Sequence, residues 1–199
     1  DYDAVVNCLW EGRAAIDRKM GLNIARDESY RFKSSVRLPN LPIHARVPSV
    51  SIMNGPFGDF VRYGPEDQVY FAWHPVSVDG IALIQEEEKI RAYERHASFD
   101  FPAEFRTSKI AGFRKAFENI FPQADSRFFD SAVLGGGHVV ANGLTDIDDP
   151  KSGLHKRSEF PYKIQDGYVS VKTQKFTTAP YNAYLLEQAL FKDVLTDKL

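Results

Sequence analysis

The sequence has few of the features that mark secretion, nucleic-acid binding or membrane insertion. It contains one cysteine, Cys8, in 199 residues, so no internal disulfide can form, and a reducing compartment such as the cytoplasm is predicted. The 25 lysine and arginine residues do not outnumber the 27 aspartate and glutamate residues, and the net charge is −2. This balance argues against the basic surface of a nucleic-acid-binding protein. No apolar run approaches the roughly 20 residues of a membrane span, so no spanning segment is predicted.

Several motifs of catalytic and cofactor sites are also missing. No G-x-S-x-G elbow occurs, and no G-x-G-x-x-G follows a strand pattern. Gly135-Gly136-Gly137 has neither the Lys-Ser/Thr of a phosphate-binding loop nor a following helix, and it predicts a bulge or tight turn in a sheet. The acidic string from Asp146 to Pro150 lacks the ligand pattern of a calcium loop and predicts a polar turn. The histidines show no pairing at metal-ligand spacing, so no metal site is predicted: His44, His74, His96, His138 and His155.

Strand patterns dominate the first half of a chain whose composition is that of a globular protein. Hydrophobic residues make up 43% and charged residues 26%, and the length allows one good core or two small ones. Short strands separated by tight turns such as Asn54-Gly55-Pro56 and Asp79-Gly80 predict a mostly antiparallel sheet. The predicted strands are Tyr30–Leu38, Val50–Met53, Phe60–Tyr63, Val69–Trp73 and Ile81–Ile84.

Two helices are predicted after these strands. The first runs from Gln85 to Ala97 and carries a charged, solvated face. The second runs from Thr107, as its cap, to Phe121, and Pro122 ends it. An aromatic stripe at helical spacing predicts that this second helix packs against the sheet. The stripe consists of Ile110, Phe113, Phe117, Ile120 and Phe121.

The last quarter of the chain has the pattern of a strand, a short loop and a helix. Tyr168–Val171 alternates apolar and polar residues, which predicts a half-buried strand after an Asp166-Gly167 turn. Thr178 is a good N-cap, and Pro180 fits the first turn of a helix whose apolar face begins with Tyr181 and Tyr184. The free N–H groups and positive dipole of such a helix end attract a phosphate, a carboxylate or an electron-rich ring.

This last stretch carries a family resemblance. The segment SVKTQKFTTAP, from Ser170 to Pro180, resembles the C-terminal signature of FAD-dependent oxidoreductases of the D-amino-acid oxidase and glycerol-3-phosphate dehydrogenase superfamily. In that family a strand leads into a helix whose N-terminus faces the flavin pyrimidine ring. The resemblance covers the chain loosely, as the family's C-terminal half, and is sharp from Thr145 to Ala183. It implies FAD as cofactor, bound by Gln174, Lys175, Phe176, Thr177 and Thr178.

The beginning of the chain is similar to the stretch that closes the nucleotide-binding domain in the same family. There a strand, an Asn-Ala-Thr-Gly-Pro-Trp motif and a helix follow one another. Here the sequence is VVNCLWEGRAAIDRKMGL, with Cys8-Leu9-Trp10 where Ala-Thr-Gly is usual. The opening residues predict a buried strand up to Asn7 and a chain cut from something longer, with the dinucleotide fingerprint upstream. Trp10, Ala14 and Ala15 are expected to pack one face of the helix.

The resemblance implies a fold class and a domain organisation. The fold class is α+β, a mostly antiparallel mixed sheet with flanking helices, ending in a strand-loop-helix of the FAD-binding domain. Residues 1–25 would end the FAD-binding domain, 26–145 would form the substrate domain, and 146–199 would return to the FAD-binding domain. The segments PFGDFVRYG and VYFAWHP, around residues 56–64 and 69–75, resemble the paired central strands of the family's substrate domain.

Three residues are predicted to contact a small substrate. The resembled family has an arginine near the position of Arg157 that pairs with the carboxylate or phosphate of its substrate, and a guanidinium suits both anions. A surface arginine is the alternative. His74 and Tyr63, on the two segments that resemble central strands, are the other predicted contacts, although His74 also fits a hydrogen-bonded core histidine. The catalytic residue stays unassigned.

Three functions are compatible with the sequence. The resemblance implies the substrate-side portion of an FAD-dependent oxidoreductase that moves a hydride from a carbon bearing an amine or hydroxyl to the flavin. A binding module that has the fold without the cofactor is the second, favoured by Gln174, where the family usually has glycine, and by Cys8-Leu9-Trp10. A hydrolase is the third and depends only on scattered histidines and serines.

Overall fold

The computed structural model describes residues 2, 4–24, 27–39, 48–63, 68–147, 149–153, 162–172 and 178–196. The chain divides into unit 1, with residues 1–30, 82–86 and 139–199, and unit 2, with residues 31–81 and 87–138. The strands are β1 (Val5–Asn7), β2 (Glu28–Leu38), β3 (Val50–Ile52), β4 (Gly58–Tyr63), β5 (Gln68–Trp73), β6 (Val78–Leu83), β7 (Val133–Asn142), β8 (Tyr162–Gln165) and β9 (Tyr168–Val171). The helices are α1 (Arg13–Lys19), α2 (His74–Ser77), α3 (Glu87–Ala92), α4 (Glu94–Ser98), α5 (Ala103–Ile120) and α6 (Ala179–Thr196), with short 3₁₀ turns at Trp10–Gly12 and Arg127–Ser131.

The larger sheet confirms the predicted strands and their antiparallel pairing. Its strands lie in the order β3-β4-β5-β2-β6, and β7 also pairs with β2. Strands β4 and β5 pair antiparallel from Gly58 opposite Trp73 to Tyr63 opposite Gln68, as predicted for the two central segments. Strand β5 is antiparallel to β2, and β3 is antiparallel to β4. With the flanking helices, this sheet confirms the α+β fold class.

The core of unit 2 is a cluster of phenylalanine rings between the sheet and α5. Phe113 and Phe117 are fully buried, as the aromatic stripe predicted. The Phe117 ring centroid lies 6.0 Å from that of Phe71 and 5.5 Å from that of Phe60. The helix begins at Ala103, before the predicted cap Thr107. Pro102 has the extended conformation of a residue that precedes a helix, and its carbonyl accepts the Arg106 N–H, so Thr107 lies inside the helix.

A tyrosine divides the helix predicted between Gln85 and Ala97. Two short helices, α3 and α4, are separated at Tyr93. The Tyr93 ring stacks on Phe32 with centroids 4.2 Å apart, and its hydroxyl donates a hydrogen bond of 3.1 Å to the Asp79 carbonyl. These contacts hold the Tyr93 backbone outside helical geometry, which the local charge pattern could not indicate.

Two glycine-containing segments lie inside strands, although the first was predicted to form a bulge or tight turn in a sheet and the second a turn. Gly135-Gly136-Gly137 belongs to β7, and none of the three has φ in the left-handed region. Asp79-Gly80 belongs to β6. The Asp79 carboxylate finds buried partners, and a Cβ at Gly80 would overlap the Tyr93 hydroxyl. Glycine at position 80 therefore permits a close approach of a side chain and does not form a turn.

Unit 1 contains a three-stranded sheet in the order β1-β9-β8. Strand β1 is parallel to β9, and β8 is antiparallel to β9 across the predicted Asp166-Gly167 turn, where both residues have positive φ (49° and 74°). The prediction of a half-buried β9 was wrong, because all four of its residues are buried. The prediction of a buried β1 was also wrong. Val5 and Val6 are 54% and 39% exposed, and β1 lies at the edge of the three strands described for this sheet.

The C-terminal helix α6 begins where the sequence predicted. Thr178 immediately precedes it, and Pro180 lies in its first turn. Its predicted apolar face is exposed at Tyr181 (61%) and Tyr184 (56%), and Asn182 is buried instead. The Asn182 amide lies 3.4 Å from the Thr178 hydroxyl, so a polar contact replaces the expected aromatic one. Among the described helices, none is both long and apolar enough to cross a membrane.

Candidate functional site

A buried ionic network in unit 1 joins helix α1 to strands β2 and β9. Arg13 and Asp17 lie one turn apart on α1, and their side chains are paired at 2.5 Å. The Arg13 guanidinium also pairs with Glu28 of β2 and donates a hydrogen bond of 3.0 Å to the Ser170 hydroxyl of β9. Arg13, Asp17 and Glu28 are each at most 6% exposed. Charged residues therefore hold α1 against β2 and β9, where the sequence predicted packing by an apolar face.

The Asp17 carboxylate is the centre of this network. It accepts hydrogen bonds from Tyr168 (2.8 Å), Ser170 (2.7 Å) and Asn7 (3.0 Å), in addition to its ion pair with Arg13. Burial, and next the hydrogen bond with Asp17, raise the pKa of Tyr168 above its ordinary value. Tyr168 and Ser170 lie on the same face of β9, because side chains alternate along a strand, so these contacts account for the burial of that face.

The turn between β1 and α1 has one unusual backbone conformation. Trp10 has a φ of 49°, a left-handed conformation that L side chains rarely adopt. Trp10 is the residue that stands where the resembled motif has glycine. Of the residues expected to pack this helix, Ala14 is buried, Trp10 is half-buried and Ala15 is exposed, while Cys8 is an exposed free thiol.

Lys172 lies beside a small charged cavity at the end of β9. Its ammonium donates a hydrogen bond of 2.5 Å to the Asn142 side chain and lies 3.4 Å from the Glu28 carboxylate. Burial, and next the positive charges of Arg13 and Lys163, lower the pKa of Lys172 to about 8, against the opposite effect of Asp27. The cavity measures about 90 Å³ and is lined mainly by charged groups, among them Arg13, Asp17, Glu28, Lys163 and Lys172.

The lowered pKa of Lys172 predicts a pH-dependent contribution to stability. Above pH 8 the folded chain releases this proton, whereas the unfolded chain keeps it until about pH 10.5. The unfolded state therefore binds more protons in this window, and the free energy of unfolding rises with pH. We expect denaturant titrations from pH 8 to 10.5 to show a smaller rise for Lys172→Met than for the wild type.

A second lysine provides the control for that pH dependence. Lys115 is exposed on α5, so Lys115→Met is expected to keep the wild-type rise. Equal pH profiles for Lys172→Met and the wild type would contradict the assignment of this effect to Lys172.

A second buried ionic cluster lies in unit 2, where the sequence suggested only a turn. The Asp79 carboxylate lies 2.8 Å from His96 Nε2 and forms an ion pair with Lys109 of α5. The Ser34 hydroxyl donates a further, longer hydrogen bond of 3.4 Å to it. The side chains of Asp79 and His96 are at most 6% exposed. No local signal marks these residues, because their partners come from distant parts of the chain.

The unit 2 sheet has a polar face opposite α5. Along β2 from Phe32 to Leu38, every second residue is buried (Phe32, Ser34, Val36 and Leu38), and the alternate residues Lys33, Ser35 and Arg37 are partly or fully exposed. Tyr70 is paired with Arg37 across β5 and β2, so both side chains lie on this polar face. Burial raises the pKa of the Tyr70 phenol, and a hydrogen bond with Ser35 opposes this shift.

The predicted substrate contacts are not all brought together. His74 begins α2 instead of continuing the strand, and its Nδ1 lies 3.5 Å from Lys33 Nζ. Tyr63 ends β4, five positions from Gly58, which is paired with Trp73. His74 is one position beyond Trp73, so at about 3.3 Å per residue Tyr63 and His74 stand roughly 20 Å apart along the hairpin. One small molecule therefore does not contact both.

Most of the other predicted site residues fall outside the described part of the chain. These are Arg157, Gln174, Lys175, Phe176 and Thr177, and their roles stay predictions. Thr178 is described, directly before α6. Sequence reasoning missed Arg13, Asp17 and Lys172, although Lys172 lies within the segment that carries the family resemblance.

Comparison with known proteins gives one structural likeness. No protein-family model matches the chain, and no curated protein sequence matches it. The chain is similar to the crystal structure of the FAD-dependent oxidoreductase PA4991 from Pseudomonas aeruginosa, with a TM-score of 0.54 and 14% sequence identity. The match covers 96% of this chain and 46% of that protein, so the chain spans about half its length. The chain therefore has a fold similar to about half of an FAD-dependent oxidoreductase.

Proposed function

We propose that the chain is the substrate-side portion of an FAD-dependent oxidoreductase of the D-amino-acid oxidase and glycerol-3-phosphate dehydrogenase superfamily. The reaction is the oxidation of a C–N or C–OH bond in a small anionic substrate. The likeness of nearly the whole chain to part of an FAD-dependent oxidoreductase carries the proposal, and the SVKTQKFTTAP segment supports the superfamily. FAD, when bound, supplies the hydride acceptor.

The end of unit 1 has the chemistry to hold such a cofactor. Helix α6 has 18 residues, and the first N–H groups of any helix lack partners within it. Its positive end suits an electron-rich ring, and Thr178 adds a hydroxyl directly before it. We assign Gln174, Lys175, Phe176, Thr177 and Thr178 to FAD contacts. The left-handed backbone of Trp10 supports the likeness to a glycine-containing motif at the beginning of the chain.

The domain assignment and the substrate contacts belong to the same proposal. We assign residues 1–25 and 146–199 to the FAD-binding domain and residues 26–145 to the substrate domain, in keeping with the grouping of both chain ends in unit 1. Arg157 and His74 would bind the anionic group of the substrate. Tyr63 lies at the far end of the β4–β5 hairpin, too far from His74 for one small molecule to contact both, so we assign the substrate to Arg157 and His74. A cytoplasmic location is part of this proposal.

Flavin retention tests the cofactor assignment. We expect protein expressed from the full natural reading frame to show flavin absorption between roughly 350 and 550 nm. The double substitution Thr177→Val with Thr178→Val removes two hydroxyls and is expected to weaken FAD binding about tenfold or more. Equilibrium dialysis against FAD, read at the flavin band, measures this change.

Thr107→Val is the matched control, because Thr107 is exposed on α5 and in unit 2. It is expected to retain FAD like the wild type. If the double variant retains FAD as well as the wild type does, the assignment of FAD contacts to Thr177 and Thr178 at the beginning of α6 is wrong. A protein that stays colourless with added FAD would favour the second candidate, a non-catalytic binding module, which Gln174 in place of glycine already favours.

A further inference from the structure

The cavity beside Lys172 contains an amine that has no role in the proposed function. The cavity measures about 90 Å³ and lies within unit 1, and none of its lining residues has an assigned FAD or substrate contact. Buried charged residues of α1 and β2 line one side of it, and Asn23 and Lys163, which are exposed, line another. A cavity holds one water once about 10–15 Å³ is accessible, so this one admits a molecule of several non-hydrogen atoms.

Two acceptors from other strands hold the Lys172 ammonium. The side-chain oxygen of Asn142 on β7 accepts a hydrogen bond of 2.5 Å, and the Glu28 carboxylate on β2 lies 3.4 Å away. Glu28 also pairs with Arg13, so one carboxylate is shared between two cations. The Lys172 side chain is 11% exposed, which leaves the amine confined but accessible from the cavity.

This environment keeps part of the amine unprotonated near neutral pH. Burial, and next the positive charge of Arg13, lower the pKa of Lys172 to about 8, with a smaller contribution from Lys163 and an opposing one from Asp27. At pH 8 about half of the Lys172 side chains therefore carry a free amine, whereas a lysine with the ordinary pKa of 10.5 is deprotonated to less than about 1%. A desolvated lysine of lowered pKa is a nucleophile that forms Schiff bases with carbonyl compounds.

The charges around Lys172 favour a carbonyl compound over an acylating agent. Acylation removes the positive charge of a lysine, and formation of a carbamate reverses it. Either product would place a neutral or negative group beside the Glu28 carboxylate. A protonated imine keeps one positive charge and one N–H, so Glu28 stays its counterion and the Asn142 oxygen stays its acceptor.

We infer that Lys172 is a site of reversible imine formation with a small carbonyl compound that enters the cavity. The Nζ lone pair attacks the carbonyl carbon, and the new C–N bond gives a carbinolamine. The oxygen then leaves as water with one hydrogen of the amine and one proton from solvent, and the other hydrogen stays on the nitrogen of the iminium. No electrons are exchanged, so neither an oxidant nor the flavin takes part, and the site does not depend on the proposed oxidoreductase.

Reductive trapping tests this site on protein expressed from the full natural reading frame. Glyoxylate is the carbonyl probe, and sodium cyanoborohydride donates a hydride that converts the imine into a stable carboxymethyl-lysine. Peptide mass spectrometry measures the rate of labelling at each lysine. At pH 8 we expect Lys172 to be labelled at least about tenfold faster than Lys115, which is exposed on α5, because a larger fraction of it is free amine. Labelling of Lys172 no faster than that of Lys115 would overturn the inference.

The pH profile separates a reactive amine from one that is merely accessible. The labelling rate of Lys172 is expected to level off above about pH 8, whereas that of an ordinary lysine rises up to about pH 10.5. In the intact protein, Lys172→Arg keeps a positive charge beside Glu28 and is expected to abolish the fast phase of labelling. Lys115→Arg is the matched control and is expected to keep it. A fast phase that persists in Lys172→Arg, or a Lys172 rate that still rises above pH 9, would contradict the assignment.

Discussion

Replacing Asp17 with alanine is expected to lower the free energy of unfolding by about 3–5 kcal/mol, because it breaks a buried ion pair and leaves Arg13 and Lys172 to share the carboxylate of Glu28. Arg13 would keep only Glu28 as a counterion in an environment that leaves it 6% exposed. The buried donors of Tyr168 and Ser170 would also lose their acceptor. This is the largest effect that we expect from one substitution in unit 1.

The two tryptophans make the measurement specific to each unit. Trp10 belongs to unit 1 and Trp73 to unit 2. In a Trp73→Phe background, Trp10 is the remaining tryptophan, so its fluorescence during urea denaturation follows the unfolding of unit 1. A loss of stability caused by Asp17→Ala is therefore measured in the unit that contains Asp17. Separate reporters matter because a chain with two units need not unfold in one step.

A surface ion pair provides the control for Asp17. Asp130 pairs with Arg114, and its side chain is 71% exposed. Exposed pairs contribute about 0–1 kcal/mol, so Asp130→Ala is expected to have a small effect. A loss for Asp17→Ala no greater than that of this control would contradict the role given to the network.

The parts of the fold that the sequence predicted are those specified by local patterns. The stripe that includes Phe113 and Phe117 repeats with helical period, and this period reveals which side of α5 is buried. Turn chemistry likewise located the turn that precedes β9, since Asp166 and Gly167 both tolerate positive φ. In both cases the residues that decide the structure are close neighbours in the sequence.

The buried charges could not be predicted in this way. Hydrophobic periodicity assigns a polar residue to solvent, yet Asp17 is buried because its partners arrive from elsewhere in the chain. Ser170, one of them, is separated from Asp17 by 153 positions. Asn182 is another exception to this periodicity, because it is buried on α6 while the expected tyrosine face of that helix is exposed.

The candidate site was predictable only where it coincides with a helix end or a family motif. Thr178 was found from capping preference, and Lys172 was not found because a single lysine at the end of a strand has no distinguishing pattern. The partners of Lys172 come from distant parts of the chain, since Asn142 is 30 positions away and Glu28 lies on β2. The cavity around this amine is therefore a tertiary feature that no local segment of the sequence reveals.

The second large effect is expected at Asp79. It is the acceptor for His96 at 2.8 Å and the counterion of Lys109, and its side chain is 2% exposed. Asp79→Ala leaves the Lys109 ammonium without its carboxylate, for an expected loss of about 3–5 kcal/mol. Fluorescence of Trp73 in a Trp10→Phe background reports this loss in unit 2.

A double substitution identifies the charge as the cause. Lys109→Met keeps a chain of similar length and removes the ammonium, so adding it to Asp79→Ala is expected to recover part of the lost stability. A coupling of roughly 0.5–3 kcal/mol is the range for residues that contact each other. If the two losses simply add, the cost of Asp79→Ala comes from the cavity and the lost hydrogen bond to His96. In that case the ion pair between Asp79 and Lys109 does not stabilise unit 2.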